Sequence, residues 1–534
     1  MNYPVWEVAS GGGLLIAIVS ILHVFISHFA VGGGLWLALT EARARRRHDE
    51  RLLAFVQGHS RFFMLVTLVL GAITGVGIWF TIALVSPASV SALIHAYVWG
   101  WAIEWVFFIV EIAAALVYYY SWQKLDGRTH LAVGWIYFIA AWASLAIING
   151  IITFMLTPGT WLQTKSFWDG FFNPTYWPSL VLRTFVSLGL AGLFTLLSAS
   201  RLPRDGFRFR IVRYNAVWVV VAVIGGGLTG IWYKTAFPAW SDLVLGAVPI
   251  LPTMVTWVRI GAIAVLILSA WPLLVPRSWN PVGVVLLGIA TLLTFGAGEW
   301  IREAGRKPFT IKGYMYSTGL LVSEEDKLAA DGMMVHTRWF NTDVGHDRTA
   351  IGKELYRAHC QPCHTLDGYN GLRPFLAHWN RETVASLLPR LQHLRALMPP
   401  WYGDAYENEC LTDYLLAEGS RGASSWPAHP QAAQRMAWDL SCGLCHTVDG
   451  FRPLRDSLAG YTRGDLEDLL DTAGDLTEEM PAYHGDDKQR LLLLESLFGI
   501  AKVESDSQAT VRPNASDGAI AAGADVSLAE RSAP

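Results

Sequence analysis

Apolar residues run in long, nearly uninterrupted stretches through roughly the first 300 positions and then give way to mixed polar sequence near residue 305. Eight of these stretches are long enough to cross a bilayer as helices, at about 12–39, 62–85, 96–121, 131–155, 178–199, 212–232, 254–275 and 281–301. None alternates with the two-residue period of a half-buried strand. The pattern therefore predicts a polytopic bundle of about eight transmembrane helices over 1–305. From 306 to 347 no period persists, which reads as a linker with a short docking helix. Small helices return over 348–420 and 428–502, and residues 503–534, rich in Ala, Ser and Asp, read as a disordered tail. The whole is predicted to be all-α.

The second half repeats itself. His359-Cys-Gln-Pro-Cys-His-Thr-Leu-Asp-Gly368 parallels Ser441-Cys-Gly-Leu-Cys-His-Thr-Val-Asp-Gly450, and Met398-Pro-Pro-Trp-Tyr-Gly-Asp404 parallels Met480-Pro-Ala-Tyr-His-Gly-Asp486. The interval from the motif histidine to the methionine is the same in both copies, His364 to Met398 and His446 to Met480. A duplicated domain of about 80 residues explains both intervals.

Composition sharpens the membrane reading, since 52% hydrophobic and 16% charged residues is too apolar for an ordinary soluble chain. A net charge of −3 leaves no basic surplus for nucleic acid, and the arginine clusters flank apolar segments, where membrane orientation accounts for them. The stretches 41–51, 121–130, 200–213 and 272–280 hold 13 Lys and Arg, against 2 in 86–95, 156–177 and 233–253. The first set is expected in the cytoplasm. The N-terminus then lies outside, as does the second half after eight crossings. Pro4, Glu7 and Gly11 to Gly13 precede an apolar run too long for a cleaved signal, so a retained first helix is expected. Lipid is an expected partner, and the bacterial inner membrane, with the duplicated domains in the periplasm, is the expected location.

Four of the five cysteines fall in Cys360-Gln-Pro-Cys363-His364 and Cys442-Gly-Leu-Cys445-His446. Two cysteines at this spacing can form thioethers to the vinyl groups of one heme, and the adjoining histidine then meets the iron. Met398 and Met480 suit the opposite axial position, where a thioether raises the potential and closes the iron to substrate. His393 and His484 are the nearby competitors. Two covalent c-type hemes that relay electrons are the expected cofactors. Cys410, the fifth cysteine, is expected to be a small buried residue. Over residues 348–500 these motifs resemble class I cytochromes c, which implies short helices around each heme.

Ionisable residues inside membrane spans are functional candidates by default. They are His23, His28, Glu104, Glu111, Arg183, Arg259, Glu299, Glu303 and Arg306. Glu104 and Glu111, two turns apart, share a helix face near Trp99, Trp101, Trp105 and Phe108 that would suit a flat cofactor. Glu303 and Arg306 could hold an anionic group such as a heme propionate, or pair with one another. His28 is five residues from His23 and points elsewhere, so a hydrogen-bonded structural role is expected. His95, His130, His336, His346 and His378 lie at helix ends or in soluble loops and are expected to be solvated.

The helix bearing His23, the Gly71-x-x-Thr74-Gly75 string, the Glu104/Glu111 helix ending at Trp122, Asn149-Gly150 and Glu303-Ala-Gly-Arg306-Lys-Pro-Phe resemble subunit I of cytochrome bd quinol oxidases over residues 10–312. The resemblance implies one or two noncovalent high-spin hemes of b or d type, with His23 ligating one and Glu303 another. It places Glu104 at the reactive heme and Glu111 on a proton path, although the family separates these acids by eight residues and this chain by seven. It also implies O2 as substrate and a second membrane subunit. The departures are informative. Arg183 and Gly261 stand where the family has the His and Met ligands of its low-spin heme, and the external loop that forms the quinol site is cut to 233–253. Electron input through the c hemes is the expected replacement. Two readings remain: a cytochrome c-dependent oxygen reductase drawing on a periplasmic donor, and a non-catalytic diheme relay between a quinone pool or partner complex and periplasmic carriers.

Overall fold

The computed structural model describes residues 5–248, 250–395, 397–422 and 425–507. The tail expected from 503 lies, beyond 507, outside the described residues. The chain divides into two compact units, one formed by Gly13–Asp242 and Ile250–Arg306 and the other by Met1–Gly12, Leu243–Pro249 and Lys307–Pro534.

The first unit contains eight helices long and apolar enough to cross a membrane: α1 (Gly12–Arg47), α2 (Glu50–Val85), α3 (Val98–Tyr120), α4 (Gly127–Leu156), α5 (Tyr176–Ser200), α6 (Gly206–Thr235), α7 (Ile250–Leu274) and α8 (Pro281–Ala304). The helices that begin next to the arginine-rich loops each start on a side-chain cap. Asp49 accepts from Leu52 N, Asp126 from Arg128 N, Asp205 from Arg208 N and Asn280 from Val282 N. Each cap satisfies amide groups that the first helical turn leaves unpaired and contributes about 1 kcal/mol. Large apolar side chains such as Ile73, Val76, Leu228, Ile267 and Leu293 remain exposed on the outside of the unit, where lipid would cover them.

The interior is built on close helix approach. A Cβ on Gly32 of α1 would lie 1.9 Å from Ser187 O of α5, so only glycine fits that crossing. Within α2, residues Leu65–Leu70 form a π-helical turn immediately before Gly71. Such turns shift the helix face that follows and recur at functional sites.

In the second unit each of the two repeated stretches begins with a helix that packs on a later one. α9 (Arg348–His359) packs on α10 (Ala405–Gly419), and α11 (Pro430–Asp439) packs on α12 (Asp487–Ser507). α9 crosses α10 at Gly352, whose Cβ would stand 2.0 Å from Cys410 O. Cys410 itself is fully buried beside Leu355, Leu411 and Trp401. The second core gathers Ala437, Leu466, Leu493 and Leu497. The stretch before α9 carries two short antiparallel strands, Phe309–Ile311 and Met315–Tyr316, and a helix, Glu325–Asp331. It contributes Tyr316, Leu328 and Met333 to the first core, and the Glu407 carboxylate accepts from Met333 N at 2.9 Å and Met334 N at 2.6 Å.

Candidate heme-binding sites

In both repeats the motif coils into a single turn after the first helix. His364 N donates to Cys360 O at 2.8 Å and His446 N to Cys442 O at 2.9 Å, which gathers two sulfurs and an imidazole along one turn. The four cysteines form no disulfide. Burial pushes the Cys360 and Cys442 thiols up to about 12. Six residues beyond each histidine, a residue in the left-handed region (Asn370, φ 54°; Arg452, φ 44°) turns its carbonyl back onto the ring. His364 Nδ1 lies 3.2 Å from Asn370 O and His446 Nδ1 lies 2.9 Å from Arg452 O. The Asn370 side-chain amide stands 3.1 Å from the same His364 nitrogen while donating to Cys363 O. A histidine that gives Nδ1–H to a carbonyl keeps an oriented Nε2 lone pair, the usual arrangement of a metal ligand.

The surrounding loop is repeated as well. Thr365 donates to Tyr369 O and Thr447 to Phe451 O, both at 3.0 Å, and Arg373 clasps Asp367 as Arg455 clasps Asp449. These residues fit covalent heme in both copies. Met398 is half-buried in the loop before α10, and Met480 sits in a turn closed by Met480 N to Thr477 O at 3.1 Å. His393 is engaged by the Glu479 carboxylate at 3.4 Å, while the His484 carbonyl accepts from the Asn380 amide at 2.8 Å.

Within the membrane unit, His23 Nδ1 lies 3.1 Å from Thr74 Oγ1. The Thr74 hydroxyl already donates to Leu70 O at 2.7 Å, so His23 must supply the proton of the His23–Thr74 bond. Its Nε2 is left with a lone pair, suited to heme iron. A Cβ on Gly75 would lie 3.1 Å from His23 Cε1, and the glycine thus lets the ring lie flat on α2.

Glu104 accepts from Ser144 at 2.9 Å and Glu111 from Tyr137 at 2.9 Å, so both acids turn towards α4. Trp99 and Trp105 instead point outward and are largely exposed. His28 is buried, gives Nδ1–H to Val24 O at 2.7 Å, and interacts electrostatically with His23, Arg183 and Glu299. Glu303 and Arg306 pair with one another, with Arg306 Nε 3.0 Å from Glu303 Oε2. Arg183 Nη2 binds Glu299 Oε1 at 3.0 Å, and Arg302 Nε binds Glu299 Oε2 at 2.9 Å. A Cβ on Gly261 would lie 2.0 Å from Thr294 Oγ1, so α8 closes the position that a longer side chain would need.

One expectation fails. His130 is not solvated; it is completely buried at the start of α4, bound to Glu41 and to Tyr118 O. The reason is that α1 continues to Arg47, eight residues past its expected end, and lays Glu41 over the ring.

Residues 14–236 match cytochrome bd terminal oxidase subunit I. The match spans His23, Glu104, Glu111 and Arg183, while Glu303 and Arg306 lie beyond it. Residues 347–415 match the family described as cytochrome c oxidase, cbb3-type, subunit III, which includes the first heme motif and Met398. Among solved structures, the bd oxidase from Geobacillus thermodenitrificans is similar at 15% identity and a TM-score of 0.51, covering 58% of this chain and 90% of that one. At that identity the likeness speaks for the fold. No curated protein matches the chain. The cytochrome bd-like region and the cytochrome c domain together make this chain a multi-pass membrane heme oxidoreductase of electron transport.

Proposed function

We propose that this cytochrome bd-like protein is an oxygen reductase fed by cytochrome c chemistry rather than by quinol. Cys360, Cys363 and His364 would hold one covalent heme with Met398, and Cys442, Cys445 and His446 a second with Met480, and these groups would supply the electron relay from a periplasmic donor; His23 and Glu303 would hold noncovalent high-spin heme. Heme bound at His23 would supply the iron at which O2 is reduced. The protein's own part is to orient His23 through Thr74 and to present Glu104 and Glu111 as proton-carrying groups. Reducing one O2 to two waters consumes four electrons and four protons, so a proton supply through the membrane unit is required.

The observation that carries the reading is the fate of the low-spin heme positions. Arg183 is locked to Glu299 and cannot ligate iron, and Gly261 is closed by Thr294. With those ligands gone and His23 still poised, the duplicated cytochrome c domains are the electron input that remains. Replacing His23 by Ala should remove noncovalent heme and leave both covalent hemes in place, read by heme extraction and pyridine hemochrome spectra. Survival of all noncovalent heme in that variant would refute the assignment. Loss of oxygen reduction without any heme change would also count against it.

A further inference from the structure

At the arginine-rich end of the membrane unit, Arg213 on α6 and Arg277 in the turn after α7 are exposed, and neither makes an ion pair among the described residues. From Gly206 to Gly298 the only acid is Asp242, which falls in the connection at the opposite ends of α6 and α7. The two acids close to the start of α6 are engaged by other cations. Asp205 receives Arg51 at 2.6 Å, and Asp49 lies 3.8 Å from Arg210.

Both guanidinium groups are nevertheless held in place. Arg213 Nε donates to Leu273 O at 3.2 Å, which uses one of its five N–H donors. Arg277 Cζ stands 5.7 Å from the centre of the Phe209 ring. Phe209 and Arg213 are one turn apart on α6, and Leu273 precedes Arg277 by four residues, so the two cations bracket one groove between α6 and the end of α7. The turn that carries Arg277 is itself fixed. Buried Arg208 donates from Nη2 to Trp279 O at 2.6 Å, and the Trp271 indole donates to Ser278 Oγ at 2.6 Å.

An apolar track begins where this groove ends. Val217, Val221, Ile224 and Leu228 follow Arg213 along the same face of α6, and all four are exposed. From Val217 to Leu228 the helix rises about 16 Å, close to half of the roughly 30 Å hydrocarbon core of a bilayer. On α7, Ile267 and Leu274 are exposed in the same way. Two neighbouring guanidinium groups without a carboxylate repel one another, and an anion between them removes that repulsion. The planar fork of arginine matches the oxygens of a phosphate.

We infer that Arg213 and Arg277 bind the phosphate of an anionic phospholipid whose acyl chain lies along Val217, Val221, Ile224 and Leu228. The cations select the phosphate, and the apolar track selects a lipid over free phosphate. A zwitterionic headgroup would bring an ammonium to a groove that has no carboxylate to receive it. The site lies wholly within the membrane unit and does not depend on the proposed reaction.

The test is native mass spectrometry of the holoprotein released from micelles that hold phosphatidylglycerol and phosphatidylcholine with matched acyl chains in equal amount, reading the ratio of the two bound lipids. Arg213→Gln, Arg277→Gln and the double variant are compared with the natural protein and with Arg47→Gln, which removes one charge from the end of α1 and leaves the groove intact. Arg277 lies outside any helix, so its variant guards against loss of folding, and heme content is measured in each. The natural protein should favour phosphatidylglycerol about 30-fold, with a drop of about fivefold in each single variant and near parity in the double. Arg47→Gln should match the natural protein. Equal retention of the two lipids by the natural protein overturns the inference, as does a fall in Arg47→Gln as large as that in Arg277→Gln. Displacement of the lipid by inorganic phosphate, beyond what chloride gives at equal ionic strength, would make this a free-phosphate site and overturns it too.

Discussion

Replacing Glu299 by Gln should destabilise the membrane unit more than replacing Arg183 by Met. Glu299 is a shared anion, bound by Arg183 at 3.0 Å and by Arg302 at 2.9 Å, with side-chain exposures of 8% for Arg183, 17% for Glu299 and 15% for Arg302. Removing one member of a buried ion pair costs about 3–5 kcal/mol because the partner charge is stranded. Glu299→Gln strands the Arg183 guanidinium, leaves Arg302 only the Glu303 carboxylate at 3.7 Å, and belongs within that range. After Arg183→Met, Glu299 keeps Arg302, and the loss is nearer that of one charged hydrogen bond, about 1.5–3 kcal/mol. Thermal unfolding of the purified protein, followed by tryptophan fluorescence, reads both. At about 2–4 °C per kcal/mol, Glu299→Gln should lower the midpoint by about 6–20 °C and Arg183→Met by roughly half as much. The double variant should be less destabilised than the sum of the two singles, since the residues are in contact. An Arg183→Met protein as unstable as Glu299→Gln, or strict additivity, would refute the argument.

Thr74→Val removes the acceptor that orients His23 and should weaken retention of the noncovalent heme by about 10–100-fold with both covalent hemes untouched, as measured by heme extraction. Met398→His should lower the midpoint potential of one covalent heme and leave the other unchanged in a redox titration, because a thioether axial ligand raises the potential. Gly352→Val forces a side chain against Cys410 O at the α9–α10 crossing and should destabilise the first cytochrome domain by about 1–3 kcal/mol or more, seen as selective loss of one c-heme signal on heating.

The membrane helices were legible because apolar length is a direct requirement of the bilayer, and the matching turns at Cys360–His364 and Cys442–His446 because the sequence there repeats. Helix ends were less legible. The apolar run stops near 39, yet α1 continues to Arg47 because its last turns are good helix formers that bury Glu41 and leave the arginines at the surface. That extension is what hides His130, so a residue read as solvated turned out to be a fully buried hydrogen-bond partner of Glu41. The face shared by Glu104 and Glu111 was visible from their spacing. That the face meets Ser144 and Tyr137, and not the neighbouring tryptophans, depends on the register of two antiparallel helices, which no periodicity within one helix reveals. The hydrogen bonds that turn His364 and His446 likewise arise from left-handed residues six positions on, Asn370 and Arg452, whose side chains have little in common. Glu299 stood out as an intramembrane acid, but its shared role between Arg183 and Arg302 comes from helices distant in sequence.

Oxygen consumption by the purified holoprotein, with a reduced soluble cytochrome c as sole donor and then with quinol as sole donor, tests the central claim most directly when joined to a carbon monoxide difference spectrum. The account predicts consumption with the cytochrome and none with quinol, together with a carbon monoxide complex on noncovalent heme. A protein that contains only covalent heme and binds no carbon monoxide, or one driven by quinol alone, would contradict it.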